Sequence, residues 1–302
     1  LEAGQSPQST QTIRIVKNEQ VMERMHRVFD LACNERAHLS PTALNTYLNC
    51  KLRFYFKYVA GLQAPEEVSA EIDSATFGSI FHRSAENIYK DLTQHGNVIS
   101  KENIETFLND DIRLENYVDK AFKELFFHIP EDEKPEYNGT QLINSAVIVR
   151  YIKQLLKHDL KHAPFTFVGS EKYVSERMTV HTPSGDFQTR IGGIIDRLDS
   201  KDGTLRIVDY KTGGKPDTPP NVASLFIPDK KRSGYVFQTF LYAAIVSRKQ
   251  DMKVAPALLY IHKAASDDYS PVLTLKESHK EAAQVTDHSL FETESRERLE
   301  RL

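Results

Sequence analysis

The sequence predicts a mixed α/β fold in which helices flank a central sheet. One observation is the order of periodicities, with a helical pattern near residues 75–92, strand-like runs between 165 and 211, a second helical pattern over 235–246 and a last strand over 257–263. Another is the presence of turn residues between the strand-like runs, which favours hairpins. Mixed sheets covered by helices on both faces fit this order.

The composition is typical of a soluble globular protein, with 40% hydrophobic and 27% charged residues among 302. Such a length can bury a sizeable core, in one large domain or two small ones. Lys and Arg total 39 against 42 for Asp and Glu, so the net charge of −3 is not that of a whole-surface nucleic-acid binder. Local basic patches are not excluded.

Location follows from what the chain lacks in sequence. No apolar run approaches a membrane-spanning length and no secretory signal is visible, so no membrane contact is expected. Two cysteines, Cys33 and Cys50, supply no disulfide framework and fit a reducing cytoplasm. The chain begins with Leu1 rather than methionine, which leaves open a longer parent protein.

Three segments are expected along the chain. Residues 1–38 form a polar flank with a weak helical run near 21–32, and residues 39–275 form the main domain. Within that domain, residues 97–164 are predicted as a helical insertion, with an exposed connector at 130–135. Residues 276–302 are expected to be a helical tail.

The first strong helix is predicted after Ser40 and Pro41, an N-cap followed by proline in the first turn. Apolar residues at helical spacing continue to residue 59, and Gly61 ends the element. The opposite face carries three cations, Lys51, Arg53 and Lys57. They form either a solvated face or a patch that follows phosphates.

In the second helix, His82 and Glu86 lie one turn apart, beside a stripe of core residues. On its own, His82 is more often a packed or capping histidine than a metal ligand. Glu86 is either a solvated carboxylate or a partner that orients the imidazole.

Strands are predicted over 165–181, 187–198 and 205–211. Pro183-Ser184-Gly185 predicts a turn between the first two, and Ser200-Lys201-Asp202-Gly203 predicts a hairpin turn between the last two. Glu171 lies near the start of the first strand, where an exposed strand glutamate and a site carboxylate are equally open interpretations.

Candidate chemistry is concentrated on the last two strands. Asp209 and Lys211 are two residues apart and therefore share a face, and the hairpin could bring Asp196 alongside them. Carboxylate oxygens with waters suit Mg²⁺, which can polarise a phosphate and activate water. A nearby ammonium can stabilise the charge that develops on the phosphate. The cluster predicts a metal-dependent nuclease.

Two further features follow the strands. Residues 213–234 form a loop rich in Pro and Gly that includes Lys230-Lys231-Arg232, and it is expected either to border a DNA path or to be merely solvated. In the helix over 235–246, Gln238 and Tyr242 share one face. Without other motifs, both would be ordinary residues of an amphipathic helix.

Four local motifs, taken in order, resemble the PD-(D/E)XK nuclease superfamily and within it the RecB/AddB-like branch. They are Phe77-Gly78-Ser79-Ile80-Phe81-His82, Gly193-Ile194-Ile195-Asp196-Arg197, Asp209-Tyr210-Lys211-Thr212-Gly213 and Gln238-Thr239-Phe240-Leu241-Tyr242. The resemblance covers about residues 40–263 and makes residues 39–275 a RecB-like nuclease domain. It implies a restriction-endonuclease-like fold and Mg²⁺- or Mn²⁺-dependent hydrolysis of DNA, with exonuclease action favoured.

Site roles are implied by the same resemblance. His82, Asp196 and Asp209 would ligate the metal together with the backbone carbonyl of Tyr210. Lys211 would position the attacking water and stabilise the phosphate, while Gln238 and Tyr242 would support the substrate. Glu171 and Glu86 are candidates of second rank.

Partners are implied as well. The branch works in helicase–nuclease assemblies for DNA repair and recombination, so DNA and a helicase domain or subunit are expected. No Walker-type phosphate loop occurs in the sequence. A catalytically silent nuclease-fold domain that binds DNA or acts as a scaffold is the main alternative, and a hydrolase of small phosphoesters is a more distant one.

Many AddB-like relatives hold an iron–sulfur cluster through one early and three late cysteines. Cys50 matches the early position, but no cysteine follows it here. A cluster usually requires four thiolates, so this chain alone cannot build one. Cys33 is expected to be a small buried side chain.

Overall fold

The computed structural model describes residues 14–63, 71–182, 185–229, 232–276 and 281–302. The α-helices in these segments are α1 (Glu19–Phe29), α2 (Pro41–Asn49), α3 (Lys51–Phe54), α4 (Ser74–Leu92), α5 (Lys101–Leu108), α6 (Asp111–Phe122), α7 (Gly139–His162), α8 (Gly234–Ser247) and α9 (Glu292–Glu300). The strands are β1 (Val98–Ile99), β2 (Phe165–Val180), β3 (Phe187–Lys201), β4 (Thr204–Lys211), β5 (Lys253–Tyr260), β6 (Thr274–Leu275) and β7 (Ala283–Gln284).

Strands β1 to β5 form one sheet in sequence order. The first four pair antiparallel, whereas β5 lies parallel to β4 because α8 carries the chain back across the sheet. The predicted hairpin joins β3 to β4 through Asp202 and Gly203, with φ of 49° and 75°, as a two-residue turn of this hand requires. The mixed α/β prediction is confirmed.

Helices cover both faces of the sheet. Helices α4 to α7 pack on the face that presents Val208, Tyr210 and Leu259. Helix α8 packs on the opposite face, against Ile207 and Leu258. The two hydrophobic layers hold β4 between them, so the residues at its end are placed by a rigid core.

Helix starts follow the predicted caps. Ser40 accepts the amide of Ala43 at 3.1 Å, with Pro41 in the first turn, as the sequence predicts. Asp73 caps α4 through the amide of Thr76 at 2.7 Å. Ser233 caps α8 through the amide of Val236 at 3.4 Å.

The single helix predicted between residues 40 and 61 is divided. Cys50 has extended backbone with φ −162°, and its sulfur accepts the amide of Arg53 at 3.5 Å, so it ends α2 and begins α3. A π-helical turn, Tyr55–Val59, completes the segment. Cys33 is exposed, contrary to the expected buried position, and Cys50 is exposed as well.

The insertion and the C-terminal part differ in detail from expectation. Residues 97–164 contain α5, α6 and α7, but β1 also ties this segment to the sheet by pairing with β2. The last strand of the main sheet begins at Lys253 and ends at Tyr260, and residues 261–263 form a 3₁₀ turn rather than strand. Residues 276–302 are not helical throughout, because β7 pairs with β6 before α9.

Some expectations fall outside the described residues, namely most of the polar segment before residue 14, Pro183 and Ser184 of the predicted turn, and Lys230 and Lys231. The neighbouring Arg232 is described and bonds to Asn45 Oδ1 at 2.7 Å and Asn49 Oδ1 at 2.9 Å, so it ties the loop to α2. In the described segments, no helix is both long and apolar enough to cross a membrane.

Candidate metal centre

Strands β3 and β4 part at the level of Asp196. Their ladder ends with the pair Arg197 and Val208, so Asp196 and Asp209 take the next positions on the two strands. The backbone amide of Tyr210 donates to Asp196 Oδ2 at 2.7 Å. The carboxylate thus serves as the partner of a strand amide where the backbone ladder has ended.

Three side chains from different elements converge beside this point. His82 on α4 places Nδ1 3.4 Å from Asp196 Oδ1. Glu171 on β2 lies opposite Asp196, between the pairs Ser170–Arg197 and Lys172–Ile195. One ligand atom each from His82, Glu171 and Asp196 lies within 4.8 Å of the others.

Glu171 has a left-handed backbone, with φ of 48°. This conformation costs a residue other than glycine roughly 1–3 kcal/mol, and such residues cluster at functional sites. The sequence places Glu171 only in second rank, whereas the structure makes it one of the three converging side chains.

Asp209 lies deeper and is held by different partners. Its Oδ2 is 2.5 Å from Lys211 Nζ, and its Oδ1 accepts a hydrogen bond from Gln238 Nε2 at 3.1 Å. The side chain is 3% exposed, against 13% for Asp196. Asp209 is therefore next to the three converging residues in the strand register but is not one of them in this conformation.

The pKa shifts express this crowding of charge. Burial and the nearby charge of Asp196 raise the pKa of Asp209 to about 6, against the lowering effect of Lys211. Burial also raises the pKa of Asp196, but His82, Lys211 and the Tyr210 amide outweigh it, and the net pKa is lowered. For His82 burial lowers the pKa, and Asp196 more than compensates, so the net pKa is raised.

Glu171 experiences the same field. Burial and then Asp196 raise the pKa of its carboxyl. Several carboxylates therefore share a small volume in which Lys211 supplies a compensating positive charge. A divalent cation would relieve their repulsion further.

These groups open into a cleft of about 970 Å³. One wall is α4, another is the end of β4 with Thr212 and Gly213, and the insertion contributes Leu125 and Asn144. Tyr235, which no sequence motif singles out, lines the cleft with its side chain 48% exposed, and its ring centre lies 4.7 Å from Lys211 Nζ. None of Lys51, Arg53 and Lys57 lines the cleft.

Gln238 and Tyr242 lie behind the site rather than in the cleft. Gln238 bonds both to Asp209 and to Tyr242. Burial raises the pKa of Tyr242, and its hydroxyl lies against Gly193, where an added Cβ would come within 2.7 Å of it. A glycine at 193 is therefore the counterpart of the tyrosine, a relationship that motif order alone does not predict.

Glu86 has another role from the one considered for it. Its oxygens lie 2.6 Å from Arg83 Nη1 and 2.6 Å from Lys90 Nζ, within the same helix. These pairs occupy the carboxylate, so it pairs with cations of α4 rather than with the imidazole of His82.

The donor set fits a hard or borderline divalent cation. Two carboxylates and an imidazole suit Mn²⁺ or Mg²⁺ better than they suit a thiophilic metal. The Tyr210 amide engages Oδ2 of Asp196, which leaves Oδ1 on the side of His82.

Comparison with known proteins gives a matching family. The profile of the PD-(D/E)XK nuclease superfamily matches residues 38–302. This confirms the resemblance seen in the motifs, and the match extends beyond them to the last residue.

Among curated relatives, the chain is 29% identical over 228 residues to an ATP-dependent helicase/deoxyribonuclease subunit of Streptococcus agalactiae, which covers 74% of this chain and 18% of the relative. The protein of the same name from Carboxydothermus hydrogenoformans is 27% identical over 184 residues, covering 58% and 16%. That from Streptococcus mutans is 30% identical over 178 residues, covering 58% and 14%. The chain spans less than a fifth of the length of these relatives.

Proposed function

The chain belongs to the PD-(D/E)XK nuclease superfamily, and from that premise we propose that it hydrolyses phosphodiester bonds of DNA as a metal-dependent exonuclease. The observation that carries the proposal is the convergence of His82, Glu171 and Asp196 in an open cleft, with Asp209 and Lys211 beside them. Superfamily members use divalent metals, and Mg²⁺ or Mn²⁺ is the proposed ion.

His82, Asp196 and Glu171 would hold the ion, and Asp209 and the backbone carbonyl of Tyr210 are proposed as further ligands. When bound, such an ion polarises the scissile phosphate and lowers the pKa of water. The amide of Tyr210 fixes the carboxylate of Asp196, so one oxygen of that group is oriented before any ligand arrives.

Lys211 is proposed to act as a cation. Burial lowers the pKa of its ammonium, but Asp209 and Asp196 outweigh burial and leave the pKa raised. A lysine that stays protonated can orient water and stabilise negative charge on the phosphate, but is a poor general base. Asp209, only 2.5 Å away, aims the ammonium.

Gln238 and Tyr242 are proposed to act from behind the site. Gln238 donates to Asp209 and thereby fixes which oxygen faces Lys211. Tyr242 holds Gln238 and fills the space over Gly193. Both residues would preserve the geometry of Asp209 rather than touch the DNA.

The relatives' names suggest a partner. They are subunits of a helicase/deoxyribonuclease. We propose that this chain likewise works beside a helicase domain or subunit in DNA repair or recombination, and receives DNA strands from it.

A nuclease assay tests the proposal. Linear and circular DNA are incubated with the protein in Mg²⁺, in Mn²⁺ or in EDTA. Degradation of linear DNA alone, abolished by EDTA and by Asp209→Ala or Lys211→Ala, is the expected result. Glu115→Ala, at an exposed position of α6, is the control and should cut normally. DNA binding without cutting would instead indicate the silent scaffold.

A further inference from the structure

A buried guanidinium follows directly after Asp196 in the sequence. Arg197 is fully buried, as are Asp159 of α7 and Asp199 of β3. Its Nη1 and Nη2 donate to the two oxygens of Asp159 at 2.5 and 3.1 Å, and its Nε lies 2.9 Å from Asp199 Oδ2. Such a bidentate pair has one well-defined geometry.

The network extends to the elements that carry candidate ligands near Asp196. Arg197 Nη1 donates to the hydroxyl of Tyr89 at 2.5 Å, and Tyr89 lies two turns after His82 on α4. The guanidinium carbon is 5.6 Å from the ring centre of Tyr210. The ring of Tyr210 in turn meets the His82 ring, edge to face, with centroids 5.7 Å apart.

Arg197 also occupies the last paired position of β3 against β4. Beyond it, the backbone ladder to β4 no longer fixes Asp196. The side chain of Arg197 supplies an anchor at this point, because it ties the end of the ladder to α7 and α4.

We propose that Arg197 and Asp159 are positioning residues, which hold Asp196, Tyr210 and His82 at the spacing that a divalent cation requires. This inference rests on the proposed metal-dependent function. Neither Arg197 nor Asp159 lines the cleft, so both would act on the ion only through the residues that they hold.

Removal of one partner would leave a buried charge unpaired, which typically destabilises a protein by about 3–5 kcal/mol. The informative variant is therefore the neutral pair Arg197→Met with Asp159→Asn. It leaves Asp199 paired with Arg206 at 2.7 Å, and the new amide can still bond to Tyr89.

The control is a second ion pair that also holds α4. Arg113 Nη2 of α6 lies 2.6 Å from Asp91 Oδ2 of α4, away from the cleft. Arg113→Gln with Asp91→Asn removes the same charges from a tether of the same helix. It tests whether any loss of a tether on α4 affects the site.

Mn²⁺ binding is measured by titration calorimetry on the complete chain, and urea unfolding is measured in parallel. The Arg197/Asp159 pair variant should bind Mn²⁺ about tenfold to a hundredfold more weakly than wild type. The Arg113/Asp91 variant should keep the wild-type affinity at comparable stability.

Equal affinity in wild type and the Arg197/Asp159 variant would overturn the positioning proposal while leaving the nuclease proposal intact. Failure of wild type itself to bind Mn²⁺ would remove the site and overturn both. Should the pair variant not fold, Tyr89→Phe deletes only the hydroxyl shared by Arg197 and Asp159. It should weaken Mn²⁺ binding several-fold, and unchanged affinity would contradict the proposal.

Discussion

Glu171 and Asp196 lie opposite each other on β2 and β3, and the ligand atoms of both lie within 4.8 Å of each other and of His82. The left-handed backbone of Glu171 belongs to this arrangement. The relationship leads to two separate predictions, one for ion binding and one for stability.

For ion binding, Glu171→Gln should weaken Mn²⁺ affinity by about tenfold or more, because it removes one negative charge and one anionic ligand from the converging group. Titration calorimetry on wild type and variant measures the change. Glu115→Gln is the control and should bind as wild type does. Unchanged affinity in Glu171→Gln would exclude Glu171 as a ligand.

For stability, Glu171→Gly should not destabilise the protein and should stabilise it by up to about 2 kcal/mol, because glycine adopts positive φ without the steric cost. Metal-dependent cleavage should nevertheless fall. Urea unfolding and a nuclease assay on the same preparation measure both. A clear loss of stability would show that the backbone at 171 is not strained.

The contact between Gly193 and Tyr242 predicts a rescue. Gly193→Ala places a Cβ 2.7 Å from the Tyr242 hydroxyl and should cost about 1–3 kcal/mol of unfolding free energy. Tyr242→Phe in the same chain removes that oxygen and should recover part of the stability. Gly78→Ala, where the Cβ would meet Thr212 Oγ1 at 3.7 Å, is the tolerated control.

The two Gly193 variants also separate packing from chemistry. The double variant is expected to regain stability but not full cleavage, since Gln238 loses its bond to Tyr242. If the double variant were as unstable as Gly193→Ala alone, the steric explanation would be wrong.

Two buried histidines predict a loss of stability in acid. Burial lowers the pKa of His288 and of His162 to about 4 in the folded protein, from an ordinary value of 6.5. Between these values the unfolded chain binds protons that the folded chain refuses, so the free energy of unfolding falls as pH falls from about 6.5 to 4. Each histidine contributes up to about 1.4 kcal/mol per pH unit.

Urea unfolding at about pH 7.5, 6 and 5 measures this dependence. His288→Asn should show a shallower fall than wild type, whereas His95→Asn, at an exposed position after α4, should fall in parallel with wild type. Identical slopes for wild type and His288→Asn would show that His288 is protonated while folded.

Much of the fold can be predicted from local pattern. The hairpin at Asp202 and Gly203 follows from the turn residues alone, and α4 and α8 begin within one residue of the predicted positions. These elements combine clear periodicity with a capping residue, so local and tertiary preferences agree.

Other features depend on tertiary contacts. The apolar spacing runs unbroken through Cys50, and nothing in it reveals that the backbone extends there. β5 begins at Lys253, earlier than its apolar run suggests, because pairing with β4 begins at Thr204. The short pair of β6 and β7 has too few residues for a periodic signal.

The site shows the same division. Asp196, Asp209 and Lys211 stand out by spacing and by motif, and the structure puts them at the ends of adjacent strands. The convergence of Glu171 with Asp196 depends on the register between β2 and β3, which shifts between Phe167 and Gly169. A one-residue shift of this kind cannot be seen in a single sequence.

The position of the ion itself is the sharpest test of the proposed metal centre. Crystals soaked in MnCl₂ and measured near the manganese absorption edge would show it by anomalous scattering. A peak within coordinating distance of His82 and Asp196, absent in Asp196→Asn, is the predicted result. A fully occupied peak elsewhere in the cleft, or none at millimolar Mn²⁺ in protein that still cleaves DNA, would contradict the proposed centre.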